Sequence, residues 1–183
     1  MRITGIIAAA VLTAFCTTGC ASSGLVHDKA YLRAAYISRK DGVSLTLAFF
    51  SENVKPVTAS GSDMQQALDT AELSVGRRIF TGFADLVVLD GDMPAETLEY
   101  VLEEWRVSPS CLVAVSCEGE YLLSHRDPEQ LHGSVQEAVR QGAVPECDII
   151  AVLEDMLGEG KAETAELRTD GIPIPAVLRD IPT

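Results

Sequence analysis

The residues with the clearest capacity for chemistry are Val87-Val88-Leu89-Asp90-Gly91-Asp92. A strand that ends in Asp-x-Asp is one way a phosphotransferase presents a nucleophilic carboxylate and an acid/base partner beside Mg²⁺. Val113-Ala114-Val115-Ser116 could supply a second part of such a site, a strand ending in a phosphate-binding hydroxyl. Ile149-Ile150-Ala151-Val152-Leu153-Glu154-Asp155 could supply an acidic metal-binding part. The chemistry also needs a cation on the moving phosphoryl oxygens, ordinarily a Lys just before that acidic pair. No Lys stands between Lys55 and Lys161, and Asp92 is followed by Met93-Pro94 where a small polar residue is wanted. The preferred reading is that Asp90-Gly91-Asp92 turns the chain and caps a helix opening at Pro94, offsetting its dipole.

Other candidates are weaker. His27 lies ahead of the domain, and His125 and His132 flank Asp127-Pro128 in a stretch that reads as solvated loop. There is no Gly-x-Ser-x-Gly elbow and no reactive-cysteine signature. Gly158-Glu159-Gly160 reads as the stop of a helix and not as a phosphate loop. Cys111 and Cys117 read as one strand, on the same face but ~20 Å apart at ~3.3 Å per residue. A disulfide needs Cα atoms within ~7 Å, so these two are expected to be buried small apolar residues, with Cys147 left unassigned. No zinc spacing appears, and neither a metal nor a cofactor is expected. Arg77-Arg78 beside Phe80 and Phe83 is the one basic–aromatic cluster and the candidate partner contact. Its plainer reading is a solvated helix end, favourable against the helix dipole.

The composition narrows the partners. The chain has 183 residues with 27 Asp+Glu against 14 Lys+Arg, a net charge of −13. Phosphate backbones and anionic lipid attract Lys and Arg, so this balance argues against nucleic acid and against membrane adsorption driven by overall charge. Aromatic residues are 5%, with a single Trp105, too few for stacking platforms. Hydrophobic residues are 47%, enough to bury one core.

Met1 to Cys20 reads as an export signal: Arg2, an uncharged run Ile3 to Phe15, then small residues to Gly19-Cys20. The run is shorter than the ~20 residues a spanning helix needs. Gly19-Cys20 resembles a bacterial lipobox, which makes Cys20 the site of lipidation and the new N-terminus. A plain secretory signal or an uncleaved anchor is the alternative. Two or three acyl chains give stable attachment where one is marginal. The expected organisation is a lipoprotein signal peptide over 1–19, a tether over 20–29 and one domain over 30–183. Loss of Arg2 takes the charge from −13 to −14.

The elements that must position these residues follow from periodicity. Tyr31 to Ser38 and Val43 to Phe50 read as a hairpin around Arg39-Lys40-Asp41-Gly42. Pro56 to Ser60 breaks the pattern. From Ser62 the apolar stripe Met64, Ala67, Leu68, Ala71, Val75, Ile79 predicts a helix, with Ser60 or Ser62 as its cap. Ala84 to Leu89 is a strand, a helix carries Leu98, Val101, Leu102 and Trp105 inward, and Cys111 to Val115 is a second buried strand. Two helices follow, with stripes at Leu131, Val135, Ala138, Val139 and at Ile149, Val152, Leu153, Met156. The tail Ile172-Pro173-Ile174-Pro175 is expected to be extended and outside any ladder. Alternation through the middle predicts an α/β fold: a mixed β-sheet with packed helices, in a single domain.

On these residues the chain resembles the N-terminal domain of the Ger(x)C family, the lipoprotein subunits of spore germinant receptors. The resemblance rests on Ala59-Ser60-Gly61-Ser62, Gly76-Arg77-Arg78-Ile79-Phe80-Thr81-Gly82-Phe83, Leu86-Val87-Val88-Leu89, Val107-Ser108-Pro109-Ser110 and the Gly171 to Leu178 segment. It covers roughly residues 30–178. The sequence departs from the family at Tyr36-Ile37-Ser38, where Gly-Ile-Asp is usual, and at Phe83, where His is expected. Full-length relatives continue into two further domains, so a stand-alone counterpart of the first is implied. The resemblance implies a non-enzymatic binding or assembly role in spore germination. It also implies lipid anchoring on the extracytoplasmic face of the cell membrane or spore inner membrane, with multi-spanning germinant-receptor subunits as partners. The alternatives are an exported metal-dependent phosphatase using Asp90 and Asp92, and a general lipoprotein scaffold or solute-binding module.

Overall fold

Strand β1 (Lys29–Ser38) begins the fold, and β2 (Val43–Phe49) returns antiparallel beside it, with Ile37 opposite Leu45. The computed structural model describes residues 29–181. The signal segment 1–19 and the tether residues 20–28, with Cys20 and His27, lie outside the described residues, while Lys29, expected in the tether, opens β1. Gly42 closes the hairpin at φ +89°, a conformation that favours glycine. The Pro56 to Ser60 break is corrected: β3 (Val57–Gly61) pairs antiparallel along the outer edge of β2. Pro56 only precedes it, and Ala59 is its one buried residue, so the strand has no apolar alternation to read. Its Thr58 and Ser60 hydroxyls meet Thr46 and Ser44 across the ladder instead.

Helix α1 (Met64–Val75) is shorter than its stripe suggested. Asp63, not Ser60 or Ser62, accepts the Gln66 N–H as N-cap, and Gly76 ends the helix in the left-handed conformation. Ile79 instead lies on β4 (Arg78–Phe80), parallel to the start of β1, with Tyr31 beside Phe80. Further along β1, strand β5 (Leu86–Leu89) is also parallel, from Ala34 beside Leu86 to Ile37 beside Leu89. Because β2 occupies the opposite edge, β4 and β5 share one edge of β1. Helix α2 (Ala95–Glu103) leads to β6 (Leu112–Val115), parallel to β5.

Three short elements then depart from expectation. Helix α3 (Gly119–His125) occupies what reads as loop; it has seven residues and buries only Gly119, Leu122 and Leu123. Helices α4 (Pro128–Arg140) and α5 (Ile149–Glu159) follow as expected. Strand β7 (Lys161–Leu167) was not expected, because Lys-Ala-Glu-Thr-Ala-Glu-Leu has helical composition; pairing with β6 and burial of Ala162, Thr164, Ala165 and Leu167 override it. The tail is not outside the ladder: β8 (Pro173–Arg179) pairs antiparallel with β7. Arg179 directs its N–H to Asp92 and its carbonyl to Met93, away from β7. Pro173 and Pro175 share that orientation, so they lack only N–H groups on the open edge, where a proline discourages further pairing.

The eight-stranded mixed sheet has the order β3-β2-β1-β5-β6-β7-β8, with β4 off this path on β1. Val43 lines one hollow with Met64 of α1 and Thr97 of α2 on one face, while Thr58 on the other donates to Glu120 of α3. Helices therefore cover both faces, and every residue of β5 is buried. Among the described residues no helix is long and apolar enough to cross a membrane.

Close approach at Gly119 fixes α3 against the sheet, since a Cβ there would stand 2.1 Å from Cδ2 of Tyr36. Gly119→Ala is expected to cost about 1–3 kcal/mol by overpacking. Gly158→Ala, within α5 and open to solvent, is expected to stabilise by about 0.5–1 kcal/mol. Urea unfolding of the two variants checks both signs.

Candidate functional site

In an open parallel sheet, ligands gather at the carboxyl ends of the strands where chain order reverses. Here that point lies between β1 and β5, since the chain goes from β1 to β2 and β3 on one side and from β5 to β6 and β7 on the other. Asp90, the first residue after β5, stands there with a side chain only 5% exposed. Ser38 Oγ donates to its Oδ2 at 2.8 Å and Lys40 Nζ to its Oδ1 at 2.9 Å. Burial opposes its charge, but the Lys40, Ser38 and Tyr36 hydrogen bonds outweigh it and hold the carboxyl below the ordinary range. Burial first, then the Asp90 charge, raise the Tyr36 hydroxyl. The lysine absent between Lys55 and Lys161 thus has a counterpart in Lys40 of the hairpin turn, reached only through the parallel pairing of β1 with β5. It neutralises Asp90, and both carboxylate oxygens are engaged.

The capping role expected of Asp90-Gly91-Asp92 is corrected. Pro94 stands at the N-cap of α2 without a side-chain cap, and Ala95 N–H donates to Asp180 Oδ1, 85 residues away in sequence. Asp92 instead accepts from the Arg179 N–H at 3.1 Å and pairs with its guanidinium at 3.6 Å. The Ser116 hydroxyl accepts the Glu118 N–H within a turn, and Glu154 and Asp155 are exposed on α5. Among the described residues no three His, Cys, Asp or Glu side chains are grouped to hold a metal ion. His125 and His132 are helical, not loop: His125 ends α3 stacked on Tyr121 at 4.4 Å, and His132 lies on α4. Burial pushes the thiol of Cys111 up to about 12 and that of Cys147 to about 11. Cys117, expected to be buried, is exposed just beyond the end of β6.

The second candidate lies at the opposite end of β1. Arg77 and Arg78 are both exposed, but they follow the Gly76 cap, so neither sits in the last turn of α1. Arg78 opens β4 and its guanidinium lies 3.9 Å from Glu72. Phe80 precedes and Phe83 lies within a tight turn in which Ala84 N–H donates to the Thr81 carbonyl, and the Thr81 hydroxyl donates to the Trp105 carbonyl. Their rings meet edge to face at 5.0 Å, and Tyr31 stacks on Phe83 at 5.6 Å. With Lys29 and Phe50 they line an open, almost wholly apolar hollow of about 640 Å³. Phe50 is 45% exposed, Phe80 38% and Phe83 57%.

Cations ring this patch. Lys29 lies 5.5 Å from the centre of the Phe80 ring, and Arg33 4.7 Å from that of Phe50. Arg33 also meets Asp85 at 3.5 Å and Glu129 at 3.1 Å, and burial raises the Asp85 carboxyl. Lys55 lines one hollow with Phe50 and another with Arg77. Among the described residues Lys29, Lys55 and Arg77 form no ion pair. The structure therefore extends the Arg77–Phe83 cluster to Lys29, Tyr31, Arg33, Phe50 and Lys55. A signal existed for part of this, because Lys29, Tyr31 and Arg33 alternate with Ala30, Leu32 and Ala34 and so share one strand face.

Because the folded Asp90 carboxyl lies below its unfolded value, its stabilisation is present above the ordinary carboxylate range and fades as pH falls through the folded value. Asp90→Asn is expected to cost about 1–2 kcal/mol near neutral pH, a gap that narrows below about pH 4. Denaturant titrations of both proteins across that range check it. Comparison of the chain with protein-family models, with curated proteins and with solved structures returns no match.

Proposed function

We propose that this chain is a lipid-anchored domain on the extracytoplasmic face of a membrane that acts by binding and not by catalysis. Its role is that of the first domain of Ger(x)C lipoproteins, an assembly component of a spore germinant receptor with multi-spanning partners. The observation that carries this reading is the exposed aromatic and basic patch at the start of β1, where the chain arriving from Cys20 enters the fold. Anchoring at Cys20 would keep that end at the bilayer and raise the effective concentration of the domain as a whole toward membrane-embedded partners. The engagement of Asp90 by Ser38 and Lys40 supports the non-catalytic part, since a nucleophilic carboxylate must be free to attack.

Two linked measurements test the proposal in sporulating native cells. A fatty-acid label is expected to enter the protein and to disappear in Cys20→Ala; label retained in that variant would contradict the anchor. Crosslinking followed by affinity capture is expected to recover multi-spanning germinant-receptor subunits, in yields lowered by Arg77→Glu/Arg78→Glu. Capture of only unrelated proteins, or expression confined to vegetative growth, would contradict the germination role.

A further inference from the structure

The pole formed by Tyr31, Phe50, Phe80 and Phe83 combines two features that rarely coincide in so acidic a protein. The Tyr31, Phe80 and Phe83 rings are in mutual contact, and Phe50, Phe80 and Phe83 are exposed, so their apolar faces have already lost part of their water and gain by losing the rest. Lys29 borders these rings, Lys55 shares a neighbouring hollow with Phe50, and Arg77 shares a further one with Lys55; none of the three is ion-paired among the described residues, in a chain of net charge −13. We infer that this pole is a lipid-contact surface, which seats its aromatic rings at the headgroup level of an anionic bilayer while the surrounding cations meet the lipid phosphates.

Three considerations favour a bilayer over a protein as the occupant. The first is reach: eight residues separate Cys20 from Lys29, a span of at most about 30 Å when fully extended. The second is chemistry, because aromatic rings prefer the membrane–water interface and neighbouring Lys and Arg each add attraction to anionic lipid. The third is orientation. The acidic remainder of the domain is repelled by the same surface, so only this end can approach it. The orientation and proximity arguments rest on the anchor reading, but the contact itself does not, since it requires no acyl chain.

The test uses residues 20–183 carrying Cys20→Ser, which keep the whole sheet and core and cannot be lipidated. Sedimentation with vesicles of equal parts phosphatidylglycerol and phosphatidylcholine is expected to carry the protein down, more than phosphatidylcholine alone and less as salt rises. Phe80→Ser/Phe83→Ser and Arg77→Gln/Arg78→Gln are each expected to lower partitioning about tenfold. Phe83→Trp provides a readout that does not depend on a loss: its emission is expected to shift to the blue on vesicles and to be quenched by brominated lipid. Trp105, 3% exposed, stays silent to that quencher. A protein with a native circular dichroism spectrum that ignores both vesicles would overturn the inference, as would binding unchanged in both double variants. Retention by detergent-solubilised membrane proteins without vesicle binding would assign the pole to a protein partner and overturn it too. Because no lipid is attached in this assay, its failure is distinguishable from failure of the Cys20 anchor.

Discussion

One edge of β1 has to serve two parallel neighbours in succession. β4 takes it from Lys29 to Tyr31 and β5 takes it from Ala34 to Ile37. The segment between them, Thr81 to Asp85, must leave the sheet and return within a few residues. Asp85 N–H rejoins it by donating to the Arg33 carbonyl. That forced excursion turns the Phe80 and Phe83 rings outward beside Tyr31. On the other edge of β1 the pairing shifts by one residue between Leu32 and Ala34, a bulge that sets Arg33 apart from the regular ladder. The exposed aromatic pole is thus a consequence of strand pairing and not an ornament on it.

The two ends of the same strand are treated in opposite ways. At the carboxyl end, Ser38 and Lys40 converge on Asp90 and engage both its oxygens, beside an open hollow of about 560 Å³ that Asp90, Lys40, Ser116 and Arg179 help to line. At the amino end, cations and rings are left facing solvent. An unpaired carboxylate as buried as Asp90 would be costly, so the fold satisfies it with the hairpin lysine. The exposed rings carry a cost in ordered water that a binding partner can relieve. This division favours a domain that works through its surface at one pole.

Legibility in the sequence followed the range of the interactions. β1, β2, β5 and β6 announce themselves by alternation or short apolar runs, and α1, α2, α4 and α5 by apolar stripes. β3 and β7 do not, because edge pairing and small buried residues such as Ala59, Ala162 and Ala165 carry them. Helix α3 is too short to show a period. At the candidate site, Arg77, Arg78, Phe80 and Phe83 were legible because they are neighbours in sequence. Tyr31 and Phe50 join them only through strand register, and Lys40 reaches Asp90 only across the hairpin and the β1–β5 pair. The cap on α2 comes from Asp180, which no local pattern around Pro94 could reveal.

The most direct measurement is amide hydrogen exchange on residues 20–183 carrying Cys20→Ser, with and without phosphatidylglycerol-containing vesicles. Membrane proximity of the aromatic pole should slow exchange over residues 78–84 and 50–56 in the bilayer. Residues 116–120, at the carboxyl end of β6, should exchange alike in both. Unchanged exchange at the pole, or protection confined to residues 116–120, would contradict the account.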